Sequence, residues 1–190
     1  MSTSEQDKWD SLYRTAERGA PARVLEENVH LLPVQGRALE VACGLGANAI
    51  RLAQHGLEVE AWDTSAVAVE RVRRYGTEQG LALRGEVRDV LRHPPPADCY
   101  DVIVVTHFLD RELMPLLIEA LRADGLLFFQ TFTHRRCDDT GPRNPAYRLY
   151  DNELLHLCGG LRIVVYREEG VVGDTTQGFR NQAYLVGQKR

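Results

Sequence analysis

The stretch Ala38–Asn48, which reads ALEVACGLGAN, decides the fold. It begins inside a short apolar run, Arg37–Val41, that contains one acid, and it leads into the pattern of a helix at Ala47–His55. Glycines between a strand and a helix predict a tight turn with few side chains at the carboxyl end of a sheet, where open α/β sheets bind ligands. We therefore expect a nucleotide-like ligand at this turn.

Strand and helix patterns alternate outward from the glycine turn. The run YDVIVVT is apolar throughout, which is typical of a strand covered on both faces. We predict strands at 37–41, 57–62, 81–87, 100–106, 126–132, 161–166 and 182–186. We predict helices at 8–17, 23–30, 47–55, 66–75, 111–121 and 151–158, with Ser65 and Asp110 as caps and with Gly56 and Gly76 just beyond two helix ends.

This order of elements predicts the fold class. Parallel strands need crossover connections, so alternating strands and helices imply a parallel sheet with helices on both faces. The last two strands are joined by a short connection, which favours an antiparallel pair at one edge. We predict a single α/β domain with a Rossmann-like, doubly wound, mostly parallel seven-stranded sheet, in which residues 1–33 form a helical cap and residues 34–190 form the core.

The composition narrows the classes of partner. The chain has 190 residues, of which 44% are hydrophobic and 26% charged, and no stretch is long and apolar enough for a membrane span. The first residues are polar and lack the pattern of a signal peptide, so we expect a cytoplasmic location. The four cysteines are scattered without a C-x-x-C pair, and no metal is expected. A net charge of −4 disfavours nucleic acid as a partner, and both a monomer and a homodimer stay open.

The glycine turn alone permits two kinds of ligand. Its G-x-G-x-x-A spacing also fits a dinucleotide fingerprint, which is a weak signal by itself. Glu40 lies just before the glycines, where a fixed carboxylate would oppose a pyrophosphate and favour a cationic group such as an ammonium. Charge therefore favours a ligand with a cationic end.

Two further acids follow the ends of the second and third predicted strands. Asp63 stands 19 residues after Gly44, where a carboxylate can accept hydrogen bonds from a ribose diol. Asp89 follows the third strand, where it could accept a hydrogen bond from an exocyclic adenine amine. Each acid alone fits an exposed turn or a helix cap equally well, and their order on successive strand ends is what favours a ligand.

The run ALEVACGLGANAIRLAQHGLEVEAWDTS resembles the cofactor-binding segment of class I S-adenosylmethionine-dependent methyltransferases, and in particular the tellurite-resistance (TehB-like) branch. YDVIVVTHFL and LRADGLLFFQTF are similar to the fourth and fifth strand regions of that family. The chain departs from the pattern at Ala42, where the family more often has glycine, and at Ala123–Asp124, where proline and glycine are usual. The resemblance implies S-adenosylmethionine as cofactor and methyl transfer. The compact chain favours a small-molecule acceptor, such as a chalcogen oxyanion, a thiol or a carboxylate.

The resemblance also implies a role for each residue of the site. Glu40 would lie near the methionine end of the cofactor, and Asp63 with its neighbour Thr64 would lie at the ribose. The other positions that the family pattern assigns to cofactor binding are the turn residues Cys43, Gly44 and Gly46, the adenine contacts Asp89 and Val90, the floor residues Thr106 and His107, and the covering residues Trp9 and Tyr13.

Catalytic residues are harder to predict, because methyl transfer depends mainly on alignment and needs a base only for a weak or protonated nucleophile. His107 is a candidate base, and a lone histidine at this position also fits a packing or cofactor-lining role. The arginine-rich segment 133–150 contains Arg143, which could bind an anionic acceptor; a solvated surface loop fits equally well. A nucleotide-dependent oxidoreductase and a non-catalytic S-adenosylmethionine-binding regulatory module stay open as alternative functions.

Overall fold

The computed structural model describes residues 3–190, and the side chains from residue 6 onward. The helices are α1 (Thr3–Thr15), α2 (Arg23–Glu26), α3 (Ala47–His55), α4 (Ala66–Glu78), α5 (Leu113–Ala120) and α6 (Glu153–Leu157). The strands are β1 (Arg37–Val41), β2 (Glu58–Asp63), β3 (Leu83–Val87), β4 (Tyr100–Thr106), β5 (Leu121–Phe132), β6 (Arg162–Glu168) and β7 (Gln182–Gln188). Two 3₁₀ turns lie at Val29–Leu31 and Pro145–Tyr147.

The strands form one seven-stranded sheet in the order β3-β2-β1-β4-β5-β7-β6. Strands β1 to β5 pair in parallel, whereas β7 pairs antiparallel with both β5 and β6. The predicted fold class is therefore confirmed, including the antiparallel pair at one edge. Within the part of the chain that the structure describes, no helix has the length and apolar character needed to cross a membrane.

Register aligns the carboxyl ends of the three central strands. Val41 at the end of β1 pairs with Trp62 of β2 on one side and with Val105 of β4 on the other. The next residues, Asp63 and Thr106, therefore emerge beside the glycine turn. The polar residues that the sequence places at successive strand ends meet at this edge because parallel strands in register end together.

The core consists of two apolar layers, one on each face of the sheet. Phe128 and Phe129 are adjacent on β5, both almost fully buried, and belong to opposite layers because successive strand residues point to opposite faces. Leu117 of α5 covers one layer and Leu52 of α3 covers the other. Helices on both faces explain why β4 reads as continuously apolar rather than alternating.

Several predicted element bounds need correction. Helix α4 extends through Gly76 to Glu78, because the absent side chain at Gly76 allows close packing against Leu83. The region 23–30 divides into α2 and a 3₁₀ turn. Strand β5 begins at Leu121 and not at 126; it passes through Asp124 in a left-handed conformation, with a shift in its pairing to β4.

Helix α5 begins at Leu113, two residues later than predicted, and Asp110 still caps it by accepting a hydrogen bond from the Leu113 amide. Ser65 caps α4 as predicted, and Gly56 closes α3 in the left-handed conformation. Both features follow from local backbone needs that the sequence shows directly.

Candidate functional site

A cavity of about 370 Å³ opens at the carboxyl ends of β1, β2 and β4. The twelve residues that the sequence assigns to cofactor binding all line it: Trp9, Tyr13, Glu40, Cys43, Gly44, Gly46, Asp63, Thr64, Asp89, Val90, Thr106 and His107. Arg143 does not line this cavity. The strand ends therefore bring the predicted cofactor residues together, whereas Arg143, the candidate for binding an anionic acceptor, lies outside the cavity.

The glycine turn needs its glycines for conformation and for space. Gly44 and Gly46 have φ values of 51° and 73°, in the left-handed region that side chains disfavour. A Cβ at Gly46 would lie 2.7 Å from a methyl group of Val72, and a Cβ at Gly44 would lie 2.9 Å from the hydroxyl of Tyr13. Ala42 also adopts a left-handed φ of 53°, a conformation that favours glycine.

Asp63 ties the end of β2 to the glycine turn. Its Oδ2 accepts a hydrogen bond from the Gly44 amide at 2.8 Å, and its Oδ1 accepts one from the Ser65 amide at 2.9 Å. Burial raises the pKa of Asp63 above its usual value, while the backbone donors lower it. Each carboxylate oxygen can accept a second hydrogen bond, so Asp63 can both fix the turn and bind a hydroxyl.

Glu40 is buried beneath the turn, with 2% of its surface exposed. Its Oε1 accepts a hydrogen bond from the Asn48 side chain at 2.8 Å, and its Oε2 accepts one from the Ala49 amide at 2.7 Å. Burial raises the pKa of Glu40 to about 8. Glu40 therefore anchors the start of α3, a role that the sequence analysis did not assign to it, and presents a carboxyl group that a nearby cation would favour in its charged form.

Helix α1 forms one wall of the cavity. Trp9 and Tyr13 stack with their ring centroids 5.8 Å apart, and Tyr13 lies over Gly44. Burial, together with the carboxylate of Asp63, raises the pKa of Tyr13 above its usual value, so its hydroxyl stays protonated. The side chain of Arg71 donates hydrogen bonds to the carbonyl oxygens of Tyr13 and Ala16, which fixes the end of this wall.

The opposite wall follows β3. Asp89 accepts a hydrogen bond from the Leu91 amide at 3.1 Å, and Val90 is buried beside it. The guanidinium of Arg88 lies 3.9 Å from the ring centroid of Trp62. Sequence reasoning missed Arg88 and Trp62 as lining residues, since a pattern cannot show which side of a strand end faces the cavity.

The floor of the cavity is formed by Thr106 and His107. Thr106 Oγ1 accepts a hydrogen bond from the Asn48 side chain at 3.1 Å. His107 has a left-handed φ of 57°, and its ring lies 5.0 Å from the ring of Phe132. Partial burial lowers the pKa of His107 below its usual value, so the ring is neutral at pH 7.

Comparison with known proteins finds one family that is similar to the segment containing the glycine turn. The family described as "Methyltransferase domain" matches residues 38–125, which contain the turn, Asp63, Asp89 and the floor. This segment is therefore similar to a methyltransferase domain. None of the curated proteins matches the chain significantly.

Several solved structures share the fold of the whole chain. TehB from Haemophilus influenzae is 21% identical, with a TM-score of 0.69, and the match covers 98% of this chain and 67% of TehB. A geranyl diphosphate methyltransferase solved with GPP and sinefungin is 14% identical, with a TM-score of 0.70 and full coverage of both chains. The [4+2]-cyclase SpnF is 18% identical, with a TM-score of 0.69, over 95% of this chain and 80% of SpnF.

The residues that line the cavity fit S-adenosylmethionine. The cavity has a side-chain-poor turn on which a ligand can lie, the carboxylate of Asp63 at the end of β2 and the buried carboxyl group of Glu40 beneath the turn. Such a set suits a ligand with a diol and a cationic end, and it opposes a pyrophosphate. When bound, S-adenosylmethionine would supply a methyl group activated by a sulfonium, and the sulfonium would become a neutral thioether as its leaving group.

Outside the matched residues 38–125, the segment 133–150 is held in place by two arginines. Arg148 is buried and donates hydrogen bonds to the carbonyl oxygens of Thr133, Thr140 and Pro142. Arg111 pairs with Glu153 and also donates to the carbonyl oxygens of Ala146 and Arg148. These two arginines therefore serve the loop itself.

The other cations of the segment differ in their partners. Arg135 pairs with Asp151, and Arg136 pairs with Asp139. Arg143 is exposed and has no ion pair or hydrogen bond with the side chains and backbone described from residue 6 onward. Three of the four arginines in the segment, Arg135, Arg136 and Arg148, therefore have partners among the described residues.

Proposed function

We propose that the chain transfers the methyl group of S-adenosylmethionine to a small-molecule acceptor. The observation that carries this proposal is the meeting of the glycine turn, Asp63 and Glu40 in one cavity whose floor is Thr106 and His107. The family match supports the cofactor. The cyclase SpnF shares the fold, so the fold alone does not establish methyl transfer.

Each part of the cofactor has a proposed partner. Asp63 accepts hydrogen bonds from the ribose hydroxyls, and Glu40 lies nearest the methionine ammonium. Asp89 and Val90 contact the adenine, with Thr64 beside the ribose. Cys43, Gly44 and Gly46 form the surface of the turn, and Trp9 and Tyr13 cover the cofactor from α1. Thr106 and His107 then lie closest to the transferable methyl group.

The acceptor is proposed to bind on the His107 side of the cavity. Phe132 packs against His107, and Gly141 of the 133–150 segment lies so close to Phe132 that a Cβ there would be 2.5 Å from its ring. The segment therefore lies next to the floor of the cavity. A thiol, a carboxylate or a chalcogen oxyanion is small enough for this space, and Arg143 could attract an anionic acceptor from outside the cavity.

We propose the location and the partners of the protein from its cysteines and its net charge. All four cysteines are free thiols, as expected in a reducing compartment such as the cytoplasm. The net charge of −4 disfavours a nucleic acid acceptor. A monomer and a homodimer are both compatible with the proposal.

Two glycine variants test the cofactor site. Gly44→Arg places a side chain against Tyr13 in the turn, whereas Gly80→Arg adds the same side chain at a left-handed glycine with open space around it. We expect S-adenosylhomocysteine, measured by calorimetry, to bind wild type and Gly80→Arg alike and to lose affinity for Gly44→Arg. Normal binding by Gly44→Arg would contradict the proposed site, and NAD binding in preference to S-adenosylhomocysteine would contradict the proposed chemistry.

The acceptor is tested separately. We expect transfer of a labelled methyl group to at least one member of a panel of small thiols, oxyanions, amines and carboxylic acids. Binding of S-adenosylhomocysteine without transfer to any member would instead support a regulatory module.

A further inference from the structure

A chain of hydrogen bonds connects helix α2 with the floor of the cavity. The Val24 amide donates to Oε1 of Gln130 at 2.8 Å, and Nε2 of Gln130 donates to Oε1 of Gln182 at 2.7 Å. Nε2 of His107 lies 3.1 Å from the same Gln182 oxygen. This series of hydrogen bonds thus ends at the His107 ring, which we place nearest the reacting methyl group.

The first hydrogen bond, from the Val24 amide to Gln130, determines which groups donate and which accept in the others. A backbone N–H can only donate, so the Gln130 atom facing Val24 is the oxygen and its amide nitrogen faces Gln182. The Gln182 atom that receives this nitrogen must then be an oxygen. His107 shares that oxygen, so its Nε2 carries the proton and donates. The hydrogen-bond network therefore assigns the tautomer of His107.

The other ring nitrogen of His107 is left as a base. A neutral imidazole with a proton on Nε2 has a lone pair on Nδ1. Nδ1 makes no hydrogen bond with any of the residues described from Gln6 to Arg190. The ring is also held by Phe132 and by the left-handed backbone of His107, a strained conformation of the kind found at functional sites.

We propose that His107, held in its Nε2–H tautomer by Gln182 and Gln130, accepts at Nδ1 the proton of a protic acceptor during methyl transfer. This inference rests on the proposed function and narrows its acceptor to one that carries a proton at neutral pH, such as a thiol. Gln182 and Gln130 are positioning residues, because they act on the substrate only through His107.

The proposed step balances as follows in protons and electrons. The proton of the acceptor's S–H group passes to Nδ1, and His107 becomes an imidazolium. The sulfur electron pair forms the new bond to the methyl carbon. The bond from that carbon to the sulfonium breaks, and its electron pair stays on the cofactor sulfur. The imidazolium then returns its proton to solvent.

The first test is the tautomer itself, read by nitrogen NMR of ¹⁵N-histidine-labelled protein without ligands. His107→Asn assigns the signal. We expect Nδ1 to be unprotonated and the Nε2 proton to exchange slowly with water in wild type. Gln182→Leu removes the acceptor, so exchange should become fast, whereas Gln188→Leu, the same change six residues along the same strand, should leave the signal unchanged. A proton on Nδ1 in wild type, or an unchanged Nε2 proton in Gln182→Leu, would overturn the proposal.

The second test compares two acceptors of similar size, benzyl mercaptan, which is protonated at pH 7, and benzoate, which is already ionised. A positioned base contributes about 10²- to 10⁴-fold, so His107→Asn should slow transfer to the thiol by at least about 100-fold and change transfer to benzoate little. Equal losses for both acceptors, or wild-type transfer to benzoate alone, would contradict a role as base.

Failure of the proposed function would give a different result from failure of the inference about His107. A protein that binds no S-adenosylhomocysteine fails the proposed function, whatever the tautomer of His107. A protein that binds it and methylates acceptors, with the proton of His107 on Nδ1, fails only the inference about Gln182 and Gln130.

Discussion

At the scale of single residues, hydrogen bonds and burial have opposite effects on the ionisation of Glu40. Its two oxygens accept hydrogen bonds from Asn48 and from the Ala49 amide, which stabilises the charged form. Burial outweighs these donors and raises the pKa of Glu40 to about 8. Without a cation nearby, most Glu40 carboxyl groups are therefore protonated at pH 7, and a cation placed beside them would favour their ionisation.

The pH dependence of cofactor binding follows from that pKa. A bound ammonium lowers the pKa of Glu40, so binding below pH 8 releases a proton, and affinity should rise with pH by up to about tenfold per unit and level off above pH 8. Calorimetry of S-adenosylhomocysteine at pH 7, in phosphate and in Tris, measures the released proton as a difference in heat.

Glu40→Gln is the matched control for this measurement. It should abolish the difference between buffers, and it places an amide nitrogen against one of the two N–H donors, which costs about 1–3 kcal/mol of stability. Identical heats in the two buffers for wild type would show that Glu40 does not respond to the ligand.

At the scale of elements, β5 and the segment after it behave as one unit. Thr133 forms a bridge with Leu149, and the buried guanidinium of Arg148 donates to three carbonyl oxygens of the segment. The loop thus has internal hydrogen bonds of its own, while residues 135–147 are mostly exposed. Arg148 contributes to this order through backbone partners, a pairing that charge patterns in the sequence cannot show.

Replacing Arg148 should therefore loosen this segment. Arg148→Leu leaves Thr133, Thr140 and Pro142 without their donor, and we expect a loss of about 1–3 kcal/mol in the free energy of unfolding, with faster amide exchange confined to 133–150. Denaturant titration and hydrogen exchange measure the two effects. Arg143→Leu, a change at an exposed arginine of the same segment, should alter neither; equal effects of the two variants would contradict the assignment.

At the scale of the whole molecule, the N-terminal helices attach to the core in different ways. Residues 6–15 of α1 include no buried side chain, and α1 docks through polar contacts such as Gln6 to the Thr64 carbonyl and Asp10 to Ser65. Val24 and Leu25 of α2 are fully buried in the core. The predicted cap at 1–33 thus combines an outer wall of the cavity with a part of the core.

Deleting residues 1–17 tests this division. We expect the melting temperature to fall by less than about 4 °C, the shift that a loss of about 1 kcal/mol produces in a domain of this size. S-adenosylhomocysteine should bind at least about tenfold more weakly, because the covering rings of Trp9 and Tyr13 are lost. Leu25→Ala should instead cost about 2–5 kcal/mol of stability. Unfolding of the deletion variant would show that α1 belongs to the core.

The sequence determined the features that depend on local chemistry. Apolar runs and glycines set the order of strands and helices, and Ser65, Gly56 and the glycine turn fit their positions because caps and left-handed turns need particular residue types. Acids at successive strand ends predicted the cavity edge, since parallel strands in register end together.

Only the tertiary structure decided which polar groups form hydrogen bonds or ion pairs with one another. Gln130 and Gln182 lie 52 residues apart and meet because β5 and β7 are neighbours in the sheet. Arg148 is turned inward to backbone oxygens, and Arg143 is left outside the cavity. Hydrogen bonds act over about 3 Å, so such pairings depend on packing between distant segments, which no local pattern in the sequence records.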